Sequence, residues 1–322
     1  MFLMKATNGL VSVIVPYYND SKFIAECLSS ITSQSIPPKE IIVIDDCSDD
    51  SEKLNAIVEE IALSSSVNIR VFRNKNNMNG AYSRNKGMQK AEGDFIALID
   101  GDDCWKKNHI EENLTFLTEA KCDFVYSNVL YKYESKFIER KVVDANGLTN
   151  KFDALLISPP QTGSFFFRKK LSDKVKFDER LKRHQDYQFF CDVLSSQFIA
   201  LYNNKTTSVY RVPVKVVNGR KKVDYESILN FWEDRKYLFS SNRLSKFITK
   251  TTKFIIIDDY DFFSSNFNKF TLTKKLQDSK RLRFLIGTKL YRKKALFVIL
   301  YMLVLESSEI KDKIINYLKK AV

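Results

Sequence analysis

Histidine is almost missing from this chain: there are two in 322 residues, His109 and His184. So small a supply excludes a histidine-rich zinc centre. Cysteine is no better organised. Cys27, Cys47, Cys104, Cys122 and Cys191 are odd in number and include no CxxC pair, which argues against a disulfide framework and for a reducing compartment. Glycine-rich phosphate loops are missing too. No GxxxxGK(S/T) occurs, excluding a P-loop kinase or ATPase, and no GxGxxG follows the first strand, which weakens a dinucleotide-binding reading. Long apolar runs are absent as well. The longest, "ALFVILYMLVL" from Ala295 to Leu305, has eleven residues, against the roughly 18–20 needed to cross a bilayer. At the N-terminus, "MFLMKATNGLVSVIVPYYN" is interrupted at Asn8 and Gly9 and has no basic region leading into a continuous apolar stretch, so no secretory signal is read there. A cytoplasmic protein is expected, with peripheral attachment to the inner face of the cell membrane left open.

What is present is an ordinary folded chain, long enough to bury a large core, with 44% hydrophobic and 13% aromatic residues. The formal net charge of +13 suits nucleic acid, an anionic membrane surface or phosphorylated substrates, and composition alone does not choose among them.

The first half alternates strands and helices. "LVSVIVPYYN" reads as a buried strand, and "SKFIAECLSSITSQ" as a helix with Ser21 as N-cap. "EIIVIDD" is a second strand, "SEKLNAIVEEIALSS" a helix, "VNIRVFRN" a third strand, "GAYSRNKGMQKAEG" a helix closed by Gly93, and "DFIALID" a fourth strand. This is the pattern of an α/β fold with a mostly parallel central sheet and flanking helices, whose ligands bind at the carboxyl ends of the strands. Three of those ends are polar: "PYYND", "DDCSDD" and "DGDDCW". Farther on, "DFVYSNV" opens an irregular β-rich stretch, "PPQTGSFFFRKKL" reads as loop and strand, and "HQDYQFFCDVLSS" as a short helix.

The acidic turn carries the most chemistry. Asp100, Asp102 and Asp103 surround Gly101, and carboxylates on such a turn can converge on Mg²⁺ or Mn²⁺, with phosphate and water completing the shell. A solvated loop capping the next helix is the plainer reading of the same residues. Asp45 and Asp46 end the second strand, where an acid can meet a ribose or a base, while helix capping accounts for Ser48 to Asp50. Arg84, near the start of the helix before the acidic turn, has the fork geometry for phosphate or a base edge; a plain surface arginine competes. Asp186 begins a helix after the basic loop of Arg180, Lys182, Arg183 and His184. It could take a proton from a hydroxyl or simply serve as a first-turn acid.

Taken in order, "VSVIVPYYN", "ECLSSITSQ", "EIIVIDDCSDDS", "NGAYSRNKG", "GDFIALIDGDDCW", "TGSFFFRKKL" and "FDERLKRHQDYQFF" resemble the inverting glycosyltransferases of family 2, of the bacterial surface-polysaccharide type with the GT-A fold. The resemblance covers about Val11 to Leu194. It implies a nucleotide-diphosphate sugar donor, usually a UDP-sugar, and a glycan or isoprenoid-diphosphate-linked glycan as acceptor. Pro16, Tyr17, Asp45, Asp46, Arg84, Asp100 and Asp102 would line the donor site. A divalent metal, Mn²⁺ or Mg²⁺, would sit on Asp100, Asp102 and Asp103, with the direct ligand left open, and Asp186 would be the catalytic base. The family commonly has glutamate just before that base; here it is Gln185.

The domain organisation expected is a catalytic GT-A domain over 1–213, with a nucleotide-binding half of about 10–105 and an acceptor half of about 106–213, followed by a basic helical region over 214–322. In that tail, Arg281, Arg283, Lys289, Arg292, Lys293 and Lys294 precede the apolar run, as in a helix lying on an anionic membrane surface; a helix packed on the domain is the alternative. Where the strand "SVYRVP" runs into "VKVVNGRKK", Arg211 or Lys215 could close over the donor. Two other classes compete with the whole reading. A Mg²⁺-dependent nucleotidyltransferase would need a glycine- and base-rich triphosphate loop where "PYYNDSKF" stands, and a nucleic-acid-binding protein would need a recognition module that is not seen. No nucleic-acid partner is expected.

Overall fold

The structure is a computed structural model that describes residues 11–213, 223–266 and 269. The chain divides into two compact units, residues 1–223 and 224–322.

In the first unit, strands β1 (Val11–Tyr17), β2 (Glu40–Asp45), β3 (Asn68–Arg73) and β4 (Phe95–Leu98) alternate with helices α1 (Ile24–Thr32), α2 (Ser51–Ser64) and α3 (Asn79–Lys90). β2 and β4 are buried along their whole length, and β1 at every residue but Pro16. Helices cover both faces of such strands, which is why they read as continuous apolar runs rather than alternating ones. β1 pairs in parallel with β2 and β4, and β2 with β3, in the register Tyr17 opposite Asp45 and Asp45 opposite Arg73.

Beyond β4 the sheet changes character. After β5 (Cys104–Trp105) and helix α4 (His109–Glu119) come β6 (Phe124–Lys132), β7 (Phe137–Arg140), the short α5 (Ala154–Ile157), β8 (Phe166–Arg168), α6 (Gln185–Ser195) and β9 (Ala200–Arg211). The sheet order is β3-β2-β1-β4-β8-β6-β9-β5, with β7 on β6. β8 joins β4 and β6 antiparallel, whereas β9 runs parallel to β6. The result is a GT-A-like mixed α/β sheet, parallel in its first half.

Three local expectations are corrected. Ser21 does not cap α1: the helix starts at Ile24, and the Ser21 N–H donates to Asp50 Oδ2 at 3.1 Å. Ser48 and Asp50 do not cap α2 with their side chains: Ser48 Oγ takes the Asn19 N–H at 3.1 Å, and Asp50 Oδ2 takes the Ser21 N–H. Gly93 lies past the end of α3, and its N–H bonds Ser12 Oγ at 2.8 Å. His109 is a core residue. It is fully buried, stacked on Trp105 at 4.0 Å and bonded through Nδ1 to Thr207 Oγ1 at 2.8 Å.

The second unit contains α7 (Tyr225–Arg235), α8 (Ser241–Asp258) and α9 (Tyr260–Asn266). Asp224 caps α7 by accepting the Ser227 N–H at 2.8 Å, and buried Trp232 packs against Phe231, Phe239 and Phe247. Among the described residues no helix is long and apolar enough to cross a membrane. The basic stretch from Arg281 to Lys294, and Lys215, lie outside the described residues.

Candidate active site

Because β1, β2 and β4 are parallel, their carboxyl ends meet along one edge, where a doubly covered sheet leaves room for a ligand. Half-buried Pro16 and buried Tyr17 close β1, and the Asp46 N–H bonds the Tyr17 carbonyl at 2.9 Å.

Asp45 and Asp46 sit at the floor of this edge, and the structure gives both of them inward partners. Asp45 is 1% exposed; its Oδ1 takes the Ser48 N–H at 2.8 Å, and its Oδ2 takes Arg73 Nη1 at 2.7 Å and the Ser51 hydroxyl. Asp46, 4% exposed, accepts from Asn74 Nδ2, the Met78 N–H and the Asn79 N–H, each at 2.8 Å. Asp46 thereby holds the start of α3, where Asn79 adopts φ 77° and its Oδ1 accepts the Ala81 N–H at 2.8 Å. Asp45 in particular braces the β2–α2 turn rather than presenting an open carboxylate to a ligand.

Arg84 is not a surface arginine. It is buried on α3, with its guanidinium 5.3 Å from the centroid of the Phe177 ring. Nη2 donates to Asp100 Oδ1 at 2.5 Å and Nη1 to Gln185 Oε1 at 2.9 Å. Gly80 stands one turn earlier, where a Cβ would lie 2.9 Å from Arg84 Nη1. One side chain thus links the acidic turn to the first residue of α6.

The three acids of the turn have separate environments. Asp100 faces Arg84. Half-buried Asp102 is pushed up to about 7 by burial first, then by the charges of Asp100 and Asp20, with Arg211 opposing. Asp103 is turned inward: it is 4% exposed, its Oδ1 accepts the Arg211 N–H at 2.8 Å, and burial raises its carboxyl well above the usual range. Gly101 serves by its size. A Cβ there would approach the Pro16 carbonyl to 3.3 Å, so a side chain would crowd the turn where it lies against the end of β1.

Arg211, at the end of β9, braces the same turn. Its Nε donates to the Asp102 carbonyl at 2.9 Å, its Nη2 meets Glu26 on α1 at 2.5 Å, and its guanidinium lies 4.5 Å from the Phe23 ring centroid. Glu26 opens the motif "ECLSSITSQ", but nothing in the sequence announced its pairing with Arg211.

Asp186 occupies the first turn of α6, after His184 at φ 63°. It is half-buried and accepts the Tyr187 N–H at 3.0 Å. Burial pushes its carboxyl up to about 6, Arg84 pulls it down and Asp100 pushes it up again. A carboxylate with that value is poised to accept a proton near neutrality. Gln185 Nε2 bonds the Leu181 carbonyl at 2.7 Å, which fixes the amide so that its oxygen faces Arg84.

The donor set decides what ion would fit here. Among the described residues no group of three or more His, Cys, Asp or Glu side chains could hold a metal ion. Asp103 is committed to the Arg211 N–H, leaving Asp102 and Asp100 as hard oxygen donors whose mutual repulsion a cation would relieve. One or two carboxylates with substrate phosphate and water is a usual arrangement for Mg²⁺. The residues therefore fit a divalent ion bound together with a diphosphate, and not one caged by protein alone.

Known proteins resemble the chain in sequence and in fold. The sequence model of glycosyl transferase family 2 matches residues 12–176. The amylovoran biosynthesis glycosyltransferase AmsB of Erwinia amylovora is 29% identical over 200 residues, covering 59% of this chain and 66% of that protein. The poly(ribitol-phosphate) beta-N-acetylglucosaminyltransferase TarS of Staphylococcus aureus is 27% identical over 277 residues, covering 83% of this chain and 47% of that one. The chain thus spans less than two thirds of the length of either relative. A crystal structure of S. aureus TarS 1-349 in complex with UDP-GlcNAc superposes with a TM-score of 0.63 at 20% identity, covering 92% of this chain and 90% of that one, a likeness of fold.

Proposed function

The chain belongs to glycosyl transferase family 2, and we propose that it transfers a sugar, with inversion, from a UDP-sugar to a hydroxyl of a glycan or lipid-linked glycan acceptor in surface-polysaccharide synthesis. The observation that carries this reading is the Asp100–Arg84–Gln185 link, which joins the acidic turn to the helix whose first turn holds Asp186. A leaving diphosphate and a hydroxyl about to lose its proton belong at those two places.

In this reading Pro16, Tyr17 and Arg84 line the nucleotide pocket above the floor built by Asp45 and Asp46. Asp100 and Asp102 face the diphosphate and would hold Mn²⁺ or Mg²⁺. Such an ion, when bound, supplies Lewis-acid stabilisation of the leaving diphosphate. Asp186 accepts the proton of the acceptor hydroxyl as its oxygen forms a bond to the anomeric carbon. The bond from that carbon to the diphosphate oxygen breaks on the opposite face, and its electron pair leaves with the diphosphate. Oxocarbenium character in the transition state resembles that of glycoside cleavage by inversion. The named activity of AmsB and the UDP-GlcNAc in the TarS crystal support a nucleotide-sugar donor and a polysaccharide product.

The test is a panel of UDP-sugars incubated with the full chain in Mn²⁺, in Mg²⁺ and in chelator, reading UDP release with and without lipid-linked acceptors. Divalent-dependent UDP release from one donor supports the proposal. Pyrophosphate release from a nucleoside triphosphate, with no UDP release from any donor, overturns it.

A further inference from the structure

We propose that Arg140 is an acceptor-binding residue that receives an anionic group, a carboxylate or a phosphate, carried by the acceptor near its attacking hydroxyl. The inference rests on the glycosyltransferase reading above and names the substrate class of the same site.

Arg140 ends β7, a short strand whose residues Phe137 to Glu139 are exposed. The register sets Arg140 opposite Val129, and Tyr131 opposite both Ile138 on β7 and Tyr210 on β9. Opposed residues, and alternate residues along a strand, share a face of the sheet. Arg140, Tyr131 and Tyr210 therefore line one face together. The Tyr131 and Tyr210 rings are 5.0 Å apart between centroids, and the Arg140 guanidinium lies 5.6 Å from the Tyr131 centroid.

The wall reaches the acidic turn through the chain itself: Tyr210 precedes Arg211, whose N–H donates to Asp103 Oδ1 at 2.8 Å. After burial, the strongest influences on the Tyr210 hydroxyl are the charges of Asp103 and Asp102 on the acidic turn. At the other end the charge of Asp186 bears on the Tyr131 and Tyr187 hydroxyls, and Arg140 acts on both in the opposite sense. A sugar ring placed over the tyrosines would have the donor turn on one side and the base and Arg140 on the other.

The polar partners of Arg140 are what mark it out. Nη1 donates to the Tyr131 hydroxyl at 2.6 Å and Nε to Ser158 Oγ at 3.3 Å. Ser158 Oγ is itself held, donating to the Lys141 carbonyl at 2.8 Å. These partners are neutral, and among the described residues no carboxylate lies within ion-pair distance. Three arginines of the strand ends and the acidic turn are matched by acids: Arg73 by Asp45, Arg84 by Asp100 and Arg211 by Glu26. A half-buried guanidinium oriented by two hydroxyls, with no counter-charge among the described residues, is prepared for an anion, and its planar fork fits carboxylate and phosphate alike.

The experiment uses the full chain with UDP and Mn²⁺ present and titrates two matched pairs of probes by calorimetry: methyl β-glucuronide against methyl β-glucoside, and glycerol 3-phosphate against glycerol. The anionic member of one pair is expected to bind about tenfold or more tightly than its neutral partner. The responding pair identifies the anion as carboxylate or phosphate. Arg140→Gln should abolish the preference and Arg140→Lys keep part of it, with the loss falling on the acceptor probe rather than on UDP affinity. Equal binding of charged and neutral probes by the wild-type chain, or a preference that survives Arg140→Gln, overturns the proposal. Should Arg140→Gln fail to fold, the wild-type comparison and Arg140→Lys still decide. UDP release from a UDP-sugar without anion preference overturns this inference alone; anion preference without turnover of any UDP-sugar overturns the glycosyltransferase reading instead.

Discussion

Arg84 donates to Asp100 across 2.5 Å from a position that is 9% exposed, while its carboxylate partner is 33% exposed. The cation is anchored in the fold and the anion faces the pocket. Arg84→Met should therefore leave Asp100 without its partner and free Gln185 at the start of α6. UDP affinity is expected to fall about tenfold or more, and stability by about 1–2 kcal/mol, less than for a fully buried pair because Asp100 is partly solvated. Calorimetric UDP titration and urea unfolding measure the two effects.

Asp186→Asn removes the proton acceptor with little change in shape. Sugar transfer should drop by about 10²–10⁴, the range of general base catalysis, while UDP still binds. Near-normal turnover in this variant would remove Asp186 from the role.

The same residue sets the pH profile. Its carboxyl stands at about 6, and a general base works only when ionised. The transfer rate at saturating donor should be level above that value and fall about tenfold per pH unit below it. Initial rates of UDP release with acceptor, taken from pH 5 to 8, test the limb.

Asp102 gives a stability signature of opposite sign to the usual paired acid. Its folded value, about 7, lies above the ordinary carboxylate value. Between the two the folded state holds a proton that the unfolded chain has lost, so the contribution of Asp102 to stability falls as pH rises through that window. Asp102→Asn cannot ionise and should melt higher than wild type at pH 8, with the difference closing towards pH 4. Added Mn²⁺ with UDP should raise the melting temperature of wild type and do so much less in the variant.

Gly87 tests how tightly α3 packs on the sheet. A Cβ there would lie 2.3 Å from Cγ2 of Ile14, a wholly buried residue of β1. Gly87→Ala should cost about 1–3 kcal/mol despite the better helix propensity of alanine, because the core has no room to yield. A lower urea midpoint with unchanged m-value is the expected result.

Much of the first half was legible because its signals are local. "VSVIVPY", "EIIVID" and "DFIAL" are apolar runs of strand length, and the helices between them carry their own period, so β1 to β4 and the edge they share follow from the residues. Arg84, Asp100 and Asp186 could be picked out by motif and resemblance. Their linkage through Gln185 could not, because it joins side chains 101 positions apart. The capping expectation for Ser21 failed for a related reason: Asp50, from another loop, takes its N–H instead.

The division of labour among the three aspartates shows where sequence stops. By itself the sequence determined the acidic turn, its place at the end of a buried strand and the neighbouring helix with its arginine. Tertiary structure alone decided that Asp103 faces inward to the Arg211 N–H, that Asp102 keeps a raised carboxyl, and that Arg140 donates to the Tyr131 hydroxyl with no carboxylate of the described residues in ion-pair distance. Apolar periodicity is written into neighbouring residues. Burial and charge at a side chain depend on which distant strands the sheet sets beside it, and the order β8-β6-β9-β5 past β4 is what sets Arg211, at the end of β9, against the acidic turn.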